Sequence, residues 1–196
     1  MLEKTLENLL KTALLPIGKT MYIYGGGWNE KDTGAGIEAM TLGIDPKWAE
    51  FAQKQDSSYN FKDYDYKQNK EYIHLGLDCS GYIGWLLYNI FQDKGYVDFS
   101  RKIANNLATE NKGKVKKAKY ITEYKAGDIM SGESVSHVWL SLGPCNDGSV
   151  VILHSSPSGV HISGTPTPKG IENSQAIDLA NEYMDRYYPV WNKKYP

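Results

Sequence analysis

In GLDCSGYIGWLLYNIF, residues 76–91, a cysteine immediately precedes an apolar segment. Apolar residues after Cys79 fall on most sides of a helix: Ile83, Trp85, Leu86, Leu87, Ile90 and Phe91. This distribution predicts a buried helix, with Cys79 at its N-terminus. The partial positive charge of a helix N-terminus favours a thiolate, whereas the neighbouring Asp78 opposes it. We therefore expect a nearby cation, such as an imidazolium, to complete the site.

The segments on either side of this helix predict an α+β fold. Helical spacing of leucines runs from Leu2 to Leu15, and a second helical pattern runs from Ser174 to Tyr187. Between them lie four short β-like runs: KAGDIM (125–130), SHVWLSLG (136–143), SVVILHSS (149–156) and GVHIS (159–163). Because the strands are grouped rather than alternated with helices, the order indicates α+β and not a parallel α/β sheet.

Residues 27–77 form a long polar and aromatic stretch between the first helix and the cysteine helix. Its aromatic residues are Trp28, Trp48, Phe51, Tyr59, Phe61, Tyr64, Tyr66 and Tyr72. Asp45-Pro46 is typical of a helix start, so we expect a short helix through Gln55 and ordered loop elsewhere. We predict one domain over residues 1–196 with 27–77 as an insertion. Because its ends adjoin residues 22–26 and 78–79, we expect it to form a wall or roof of the site, with a self-packed outgrowth that faces away from the site as the alternative.

Two histidines lie on consecutive β-like runs that are joined by GPCNDG. Pairing Gly143 with Gly148 gives a four-residue hairpin loop and places His137 directly opposite His154. Facing side chains lie on the same side of the sheet, with β-carbons about 4.5–5.5 Å apart. His137 would then accept the proton of Cys79, and His154 would orient His137. We assign no role to His74, in the insertion, or to His161, near a turn.

The runs MYIYGG, LDCSGYIGWLLY, KAGDIM, SHVWLSLG and VILHSSPSGVHI resemble, in this order, the motifs of the NlpC-type bacterial cell-wall cysteine peptidases. The similarity covers residues 22–26 and 78–163. It implies a papain-like domain in which an antiparallel sheet packs on the helix that carries the nucleophile. It also implies hydrolysis of peptidoglycan stem peptides at γ-D-glutamyl linkages, through an acyl-enzyme on Cys79.

The resemblance assigns a role to each matching residue. Cys79, His137 and His154 match the nucleophile, the base and the third polar member. Tyr22 matches a residue lining the site. Asp78 and Ser80, which flank the nucleophile, match positions that contact the substrate's backbone or free amine. The chain departs from the family pattern in its insertion, because family members usually join the glycine turn to DCSG by a short loop.

Two other functions fit the same residues. A thiol amidase or acyl transferase would use the same Cys79–His137 pair on another acyl group. A catalytically inactive binding module would instead use Cys79, His137 and His154 as zinc ligands, although no C-x-x-C or H-x-x-x-H cluster supports it.

Composition limits the partners. The chain has 196 residues, 41% of them hydrophobic, and a formal net charge of −1, so nothing indicates nucleic acid or an anionic membrane. A lysine run at 112–119 is interpreted as a solvated loop, with tethering to a cell-wall polyanion as the alternative. No segment has the roughly 18 apolar residues of a membrane span. We expect no cofactor, and we expect peptidoglycan or a muropeptide as the partner. The sequence does not indicate an oligomeric state.

The sequence indicates neither a disulfide framework nor a signal peptide. Cys79 and Cys145 are the only cysteines, so no disulfide framework is indicated. The N-terminal MLEKTLENLLKTALLPIG lacks a basic region followed by a long apolar run, so we identify no signal peptide. The protein is then expected in the cytoplasm, or in the cell wall if the sequence begins after such a segment.

Overall fold

The computed structural model describes residues 3–28, 35–94, 124–132 and 137–195. These ranges form an α+β fold, as the sequence predicts. Their α-helices are α1 (Leu6–Leu14), α2 (Pro46–Lys54), α3 (Cys79–Phe91), α4 (Gln175–Tyr187) and α5 (Pro189–Lys194). Their strands are β1 (Ile129–Gly132), β2 (His137–Pro144), β3 (Val150–Ser156) and β4 (Gly159–Gly164). The four strands pair antiparallel in chain order, so each is hydrogen-bonded to its neighbour in sequence.

Side-chain caps set the starts of the predicted helices. The side chain of Thr5 accepts a hydrogen bond from the Asn8 N–H, so α1 begins at Leu6, later than expected. Asp45 caps α2 through the Lys47 N–H, at 2.9 Å, and α2 ends one residue before Gln55. Ser174 caps α4 in the same way. Helix α5, which begins at Pro189, was not predicted.

Helix α3 lies at the centre of the core. Its residues from Cys79 to Leu87 are all buried, as the apolar pattern on all sides predicts. Its polar groups find partners within the fold: the Tyr82 hydroxyl donates to the Ala13 carbonyl at 2.8 Å, and Trp85 Nε1–H donates to the Gly43 carbonyl at 2.8 Å. Both bonds connect α3 to segments before it in the chain, so they fix the helix that carries the cysteine.

The sheet has one face in the core and one face that carries the histidines. Side chains alternate between faces along a strand. The core face presents Val138, Leu140, Leu153, Val160 and Ile162, all buried. The opposite face carries His137, His154 and His161, which are less deeply buried as whole residues.

The register of β2 and β3 differs from the predicted one. Leu140 pairs with Leu153 and Ser141 with Ile152, two positions away from the register that would place His137 opposite His154. The register shifts by one residue between Ser141 and Gly143, where the strand is irregular. The hairpin loop is therefore longer than the predicted four residues, because Pro144 pairs with Val150. A shift of two residues keeps every side chain on its face, so the histidines remain diagonal neighbours.

The insertion at 27–77 is more regular than the ordered loop predicted around α2. Besides α2, it contains 3₁₀-helices at Ile37–Met40, Phe61–Tyr64 and Lys70–Leu75. Its exit and return points lie side by side: the Leu77 N–H donates to the Met21 carbonyl at 3.2 Å, and the Asp78 N–H donates to the Gly26 carbonyl at 3.1 Å. The insertion therefore leaves and rejoins the fold beside α3, as predicted from the sequence.

Two expectations from the sequence remain, one on the lysine run and one on membrane spans. The lysine run at 112–119 lies outside the described residues. Among the helices in the described ranges, none combines the length and hydrophobicity needed to cross a membrane.

Candidate active site

Cys79 is the first residue of α3, where the N–H groups at the start of the helix have no partner within it. Its side chain is buried, with 9% of the residue exposed. The backbone N–H groups of Cys79 and Ser80 hydrogen-bond toward the sulfur and favour its thiolate. The helix start therefore supplies the polar environment that the sequence predicted for this cysteine.

Asp78 connects α3 to the glycine turn before the insertion. Its Oδ1 accepts the Gly81 N–H at 2.8 Å and the Ser80 hydroxyl at 3.0 Å, and its Oδ2 accepts the Gly25 N–H at 3.3 Å. Asp78 is buried, and this burial raises the pKa of its carboxyl to about 7, although the hydrogen bonds act in the opposite direction. The carboxyl therefore ionises near neutral pH rather than in the acid range usual for aspartate.

The glycine turn and α3 approach each other more closely than side chains would allow. A β-carbon on Gly81 would lie 2.0 Å from the Gly26 carbonyl oxygen. This close approach explains the small residue that follows the DCS of the motif, and it brings Tyr24 and Trp28, on either side of the turn, next to Cys79.

Trp28 and Ser80 are joined by a buried hydrogen bond. Trp28 Nε1–H donates to the Ser80 hydroxyl oxygen at 2.8 Å, and the same hydroxyl donates to Asp78. Ser80, predicted to contact substrate, thus also fixes the indole ring of the first aromatic residue of the insertion.

These side chains surround a cavity of about 70 Å³ beside the cysteine. Its lining residues are Tyr22, Tyr24, Trp28, Asp78, Cys79, Ser80 and Val138. The structure thus brings the predicted substrate-contacting residues together with the predicted nucleophile. Tyr24 and Trp28 were not assigned to the site from the sequence. Their positions in the sequence could have indicated a place in the site, because Tyr24 lies two residues after Tyr22 and Trp28 directly follows the glycine run.

Aromatic residues of the insertion pack behind the cavity walls. Phe61 makes an edge contact with Tyr22 at 5.5 Å between ring centroids, and Tyr66 stacks on Tyr24 at 6.2 Å. The Tyr59 hydroxyl donates to the backbone carbonyl of Tyr22. The insertion therefore supplies one cavity wall directly, through Trp28, and supports two others.

The start of β2 links the cavity to the histidines. The backbone N–H of Val138 is hydrogen-bonded toward the Cys79 sulfur and favours its thiolate. Val138 follows His137 directly, so the backbone of His137 lies next to the cysteine. His137 itself is not among the residues that line the cavity.

His137 and His154 are hydrogen-bonded to each other, with 2.8 Å between His137 Nε2 and His154 Nδ1. The second nitrogen of His154, Nε2, lies 2.9 Å from the hydroxyl oxygen of Ser163 on β4. The two predicted histidines thus meet, but as diagonal neighbours and not as a directly opposed pair. The nitrogen of His137 that remains for another group is Nδ1.

His161, to which sequence reasoning assigned no role, lies beside this pair. It is paired with His154 across β3 and β4, and their ring centroids are 4.6 Å apart. Its Nδ1 is 2.9 Å from the Gly159 carbonyl, so Nδ1 carries the proton that is donated there. The signal for His161 and Ser163 is their spacing of two in GVHIS, which places both on one face of β4; pairing of β4 with β3 then brings them next to His154.

Burial favours the neutral forms of the cysteine and the histidines. Burial first, and then the Asp78 charge, raise the pKa of Cys79 to about 12. Burial and the neighbouring His161 lower the pKa of His137. Burial, His161 and His137 together lower the pKa of His154 strongly. Burial therefore opposes the expected thiolate–imidazolium pair and favours a neutral thiol with neutral imidazoles.

The zinc alternative finds little support in this arrangement. In the part of the chain that the structure describes, no group of three or more His, Cys, Asp or Glu side chains is placed to hold a metal ion. Both nitrogens of His154 are engaged, one by His137 and the other by Ser163. Cys79, His137 and His154 therefore do not form a ligand set.

Comparisons with known proteins add no further assignment. No family model, curated protein or solved structure matches the chain.

Proposed function

We propose that this protein is a papain-like cysteine hydrolase that cleaves amide bonds, with Cys79 as nucleophile, His137 as base and His154 as the residue that orients His137. The observation that carries the proposal is the start of β2. There, Val138 lines the cavity together with Cys79 and its N–H favours the Cys79 thiolate, while the adjacent His137 is hydrogen-bonded to His154 at 2.8 Å. One strand end thus joins the thiol to the imidazole pair.

The proposed reaction begins from the neutral pair. The Cys79 thiol transfers its proton to His137 Nδ1 as the sulfur attacks the substrate's carbonyl carbon, forming a C–S bond and an oxyanion. Collapse of this intermediate breaks the C–N bond, and the leaving amine takes the proton from His137. A water molecule, deprotonated by His137, then attacks the thioester carbon. The C–S bond breaks, the acid is released, and His137 returns the proton to the Cys79 sulfur.

Local dipoles explain how a thiol of raised pKa can serve as the nucleophile. Proton transfer and attack occur together, so a free thiolate need not accumulate. The N–H groups of Cys79, Ser80 and Val138 are already directed at the sulfur and stabilise negative charge as it develops there.

The proposed substrates are peptidoglycan stem peptides, and the bond is a γ-D-glutamyl linkage. The resemblance of the DCSG and HVWLSLG motifs to cell-wall peptidases supports this class. The cavity agrees with it in two respects. Asp78 and Ser80 lie where they could bind a substrate amine, and Tyr22, Tyr24 and Trp28 leave a narrow space that fits a thin, flexible peptide.

The test is incubation with defined muropeptides, followed by mass spectrometry of the products. We expect cleavage of a peptide with a free N-terminal amine, slower cleavage of its N-acetylated counterpart, and no cleavage by Cys79→Ala. Cys145→Ala is the matched control and should retain full activity, because Cys145 lies outside the cavity. Transfer of the acyl group to an added amine, without hydrolysis, would instead indicate an acyl transferase. Full activity of Cys79→Ala would contradict the proposal.

A further inference from the structure

We infer that Ser163 is a positioning residue that sets the proton arrangement of both histidines and so determines whether His137 can act as a base. The inference rests on the proposed function. Ser163, on β4, is not part of the cavity and has no counterpart among the residues assigned from the sequence. Its hydroxyl oxygen lies 2.9 Å from His154 Nε2, at the end of the chain of contacts that leads from His137 to His154.

A neutral imidazole ring has one N–H donor and one acceptor nitrogen. In each hydrogen bond of the chain, one partner donates and the other accepts. If His137 carries its proton on Nε2, it donates to His154 Nδ1. His154 must then carry its proton on Nε2 and donate it to Ser163. In this arrangement, His137 Nδ1 has a lone pair that can accept the proton of Cys79.

The reverse arrangement is inactive. If Ser163 donates to His154 Nε2, then His154 carries its proton on Nδ1 and donates to His137 Nε2. His137 must then carry its own proton on Nδ1 and cannot accept another one there. The same three side chains at the same distances therefore have one productive and one unproductive proton arrangement, and the difference is whether Ser163 accepts or donates.

Ser163 supports the productive arrangement because it gives the buried His154 Nε2–H an acceptor. Without the hydroxyl, that N–H would be buried and unsatisfied. The Nδ1–H form of His154 would still donate to His137, so the population would move toward the unproductive arrangement. His161, whose tilted ring packs against the His154 ring with 4.6 Å between centroids, limits any ring rotation that could compensate.

The experiment is ¹⁵N NMR of histidine-labelled full-length protein above neutral pH, which distinguishes protonated from unprotonated ring nitrogens. We expect His154 to be protonated on Nε2 in the unmodified protein, and Ser163→Ala to shift it toward Nδ1. Ser163→Thr keeps a hydroxyl and should preserve the original signal. Thr165→Ala, directly after the end of β4, is the matched control, because the partners of the Thr165 hydroxyl are the Val150 N–H and the Pro166 carbonyl.

Kinetics provide the second measurement. Ser163→Ala should lower kcat on a cleaved muropeptide by about ten-fold or more, with KM little changed, and Ser163→Thr should restore most of it. The NMR result decides the inference even if no muropeptide is cleaved, in which case the substrate proposal alone fails. A His154 protonated on Nδ1 in the unmodified protein would overturn the inference. Cleavage with an unchanged tautomer and unchanged kcat in Ser163→Ala would also overturn it, while leaving the proposed function intact.

Discussion

The chemistry of Cys79 depends on opposing effects within a few ångströms. Backbone N–H groups from α3 and β2 favour its thiolate, whereas burial and the Asp78 charge disfavour it more strongly and raise the pKa of the thiol to about 12. A cysteine in this environment is a poor nucleophile by itself. It becomes a good one only where a base accepts its proton during attack, which makes His137 essential to the proposed reaction.

The two cysteines should therefore differ sharply in their effect on activity. Cys79→Ala should reduce muropeptide cleavage by about 10³-fold or more, because it removes the atom that forms the acyl-enzyme. The fold should remain intact, since the change removes one small side chain at the cavity. Cleavage rates and circular dichroism check both statements. Comparable losses in Cys79→Ala and Cys145→Ala would show that neither thiol is the nucleophile.

The two histidines should also be unequal. His137→Ala removes the base and should cost far more activity than His154→Ala, which removes only the group that orients the base. His154→Asn should recover part of the loss, because its amide oxygen could accept the His137 Nε2–H. Single-turnover rates for the three variants test this order. Equal, small losses would indicate that both histidines are structural.

The pH profile should have two separable limbs. Because burial lowers the pKa of His137, the imidazole stays neutral below its usual value of 6.5, and kcat should stay constant to an unusually acidic pH. Asp78 ionises at about 7, so a substrate amine should bind well above that pH and lose affinity as the pH falls through it. We expect kcat/KM to rise near pH 7 while kcat does not. Asp78→Asn should abolish that rise, and a kcat limb at pH 7 would contradict the assignment.

At the scale of elements, His137 and His154 meet although the register predicted for their strands was wrong. Side-chain alternation along the two strands correctly places both histidines on one face of the sheet, because a register error of two residues does not change the face. The pairing itself was wrong by two residues. The hairpin closes at Pro144 and Val150, three positions from the predicted register, and the irregularity between Ser141 and Gly143 reverses one of the three. The hydrogen bond between His137 and His154 could be anticipated from the sequence, whereas the contacts with Ser163 and His161 required the position of β4.

The insertion is a second element whose role depends on where its ends meet. Trp28 lines the cavity from its first turn, and Trp48 is fully buried against Trp85 of α3, with 6.3 Å between ring centroids. The insertion is therefore partly cavity wall and partly core. Shortening it as a whole would disturb the core, so single substitutions at the cavity are the better test.

Trp28 offers such a substitution. Trp28→Ala should widen the cavity, raise KM for the preferred muropeptide several-fold and permit bulkier peptides, because one aromatic wall is lost. Trp28→Phe keeps most of the wall and removes the bond to Ser80, so it serves as the control. Alkylation of Cys79 by iodoacetamide should not slow in either variant. Unchanged kinetics of Trp28→Ala on every muropeptide tested would show that the insertion does not select the substrate.

At the scale of the whole molecule, the α+β class and most helix positions could be predicted, because amphipathic periodicity and caps are local signals. The packing of the insertion could not. Nothing local in residues 27–77 shows that Trp48 enters the core whereas Trp28 lines the cavity, since both are single tryptophans in polar surroundings. The cavity likewise depends on long-range contacts among the glycine turn, α3 and the start of β2.

The central claim is that Cys79 forms a covalent acyl intermediate within this cavity. The most direct measurement is rapid acid quenching of the protein with a muropeptide substrate, followed by intact-mass analysis and peptide mapping. The account predicts a mass increase equal to the acyl portion of the substrate, located on the peptide that contains Cys79 and absent from Cys79→Ala. An adduct on Cys145, or substrate turnover by Cys79→Ala without any adduct, would contradict it.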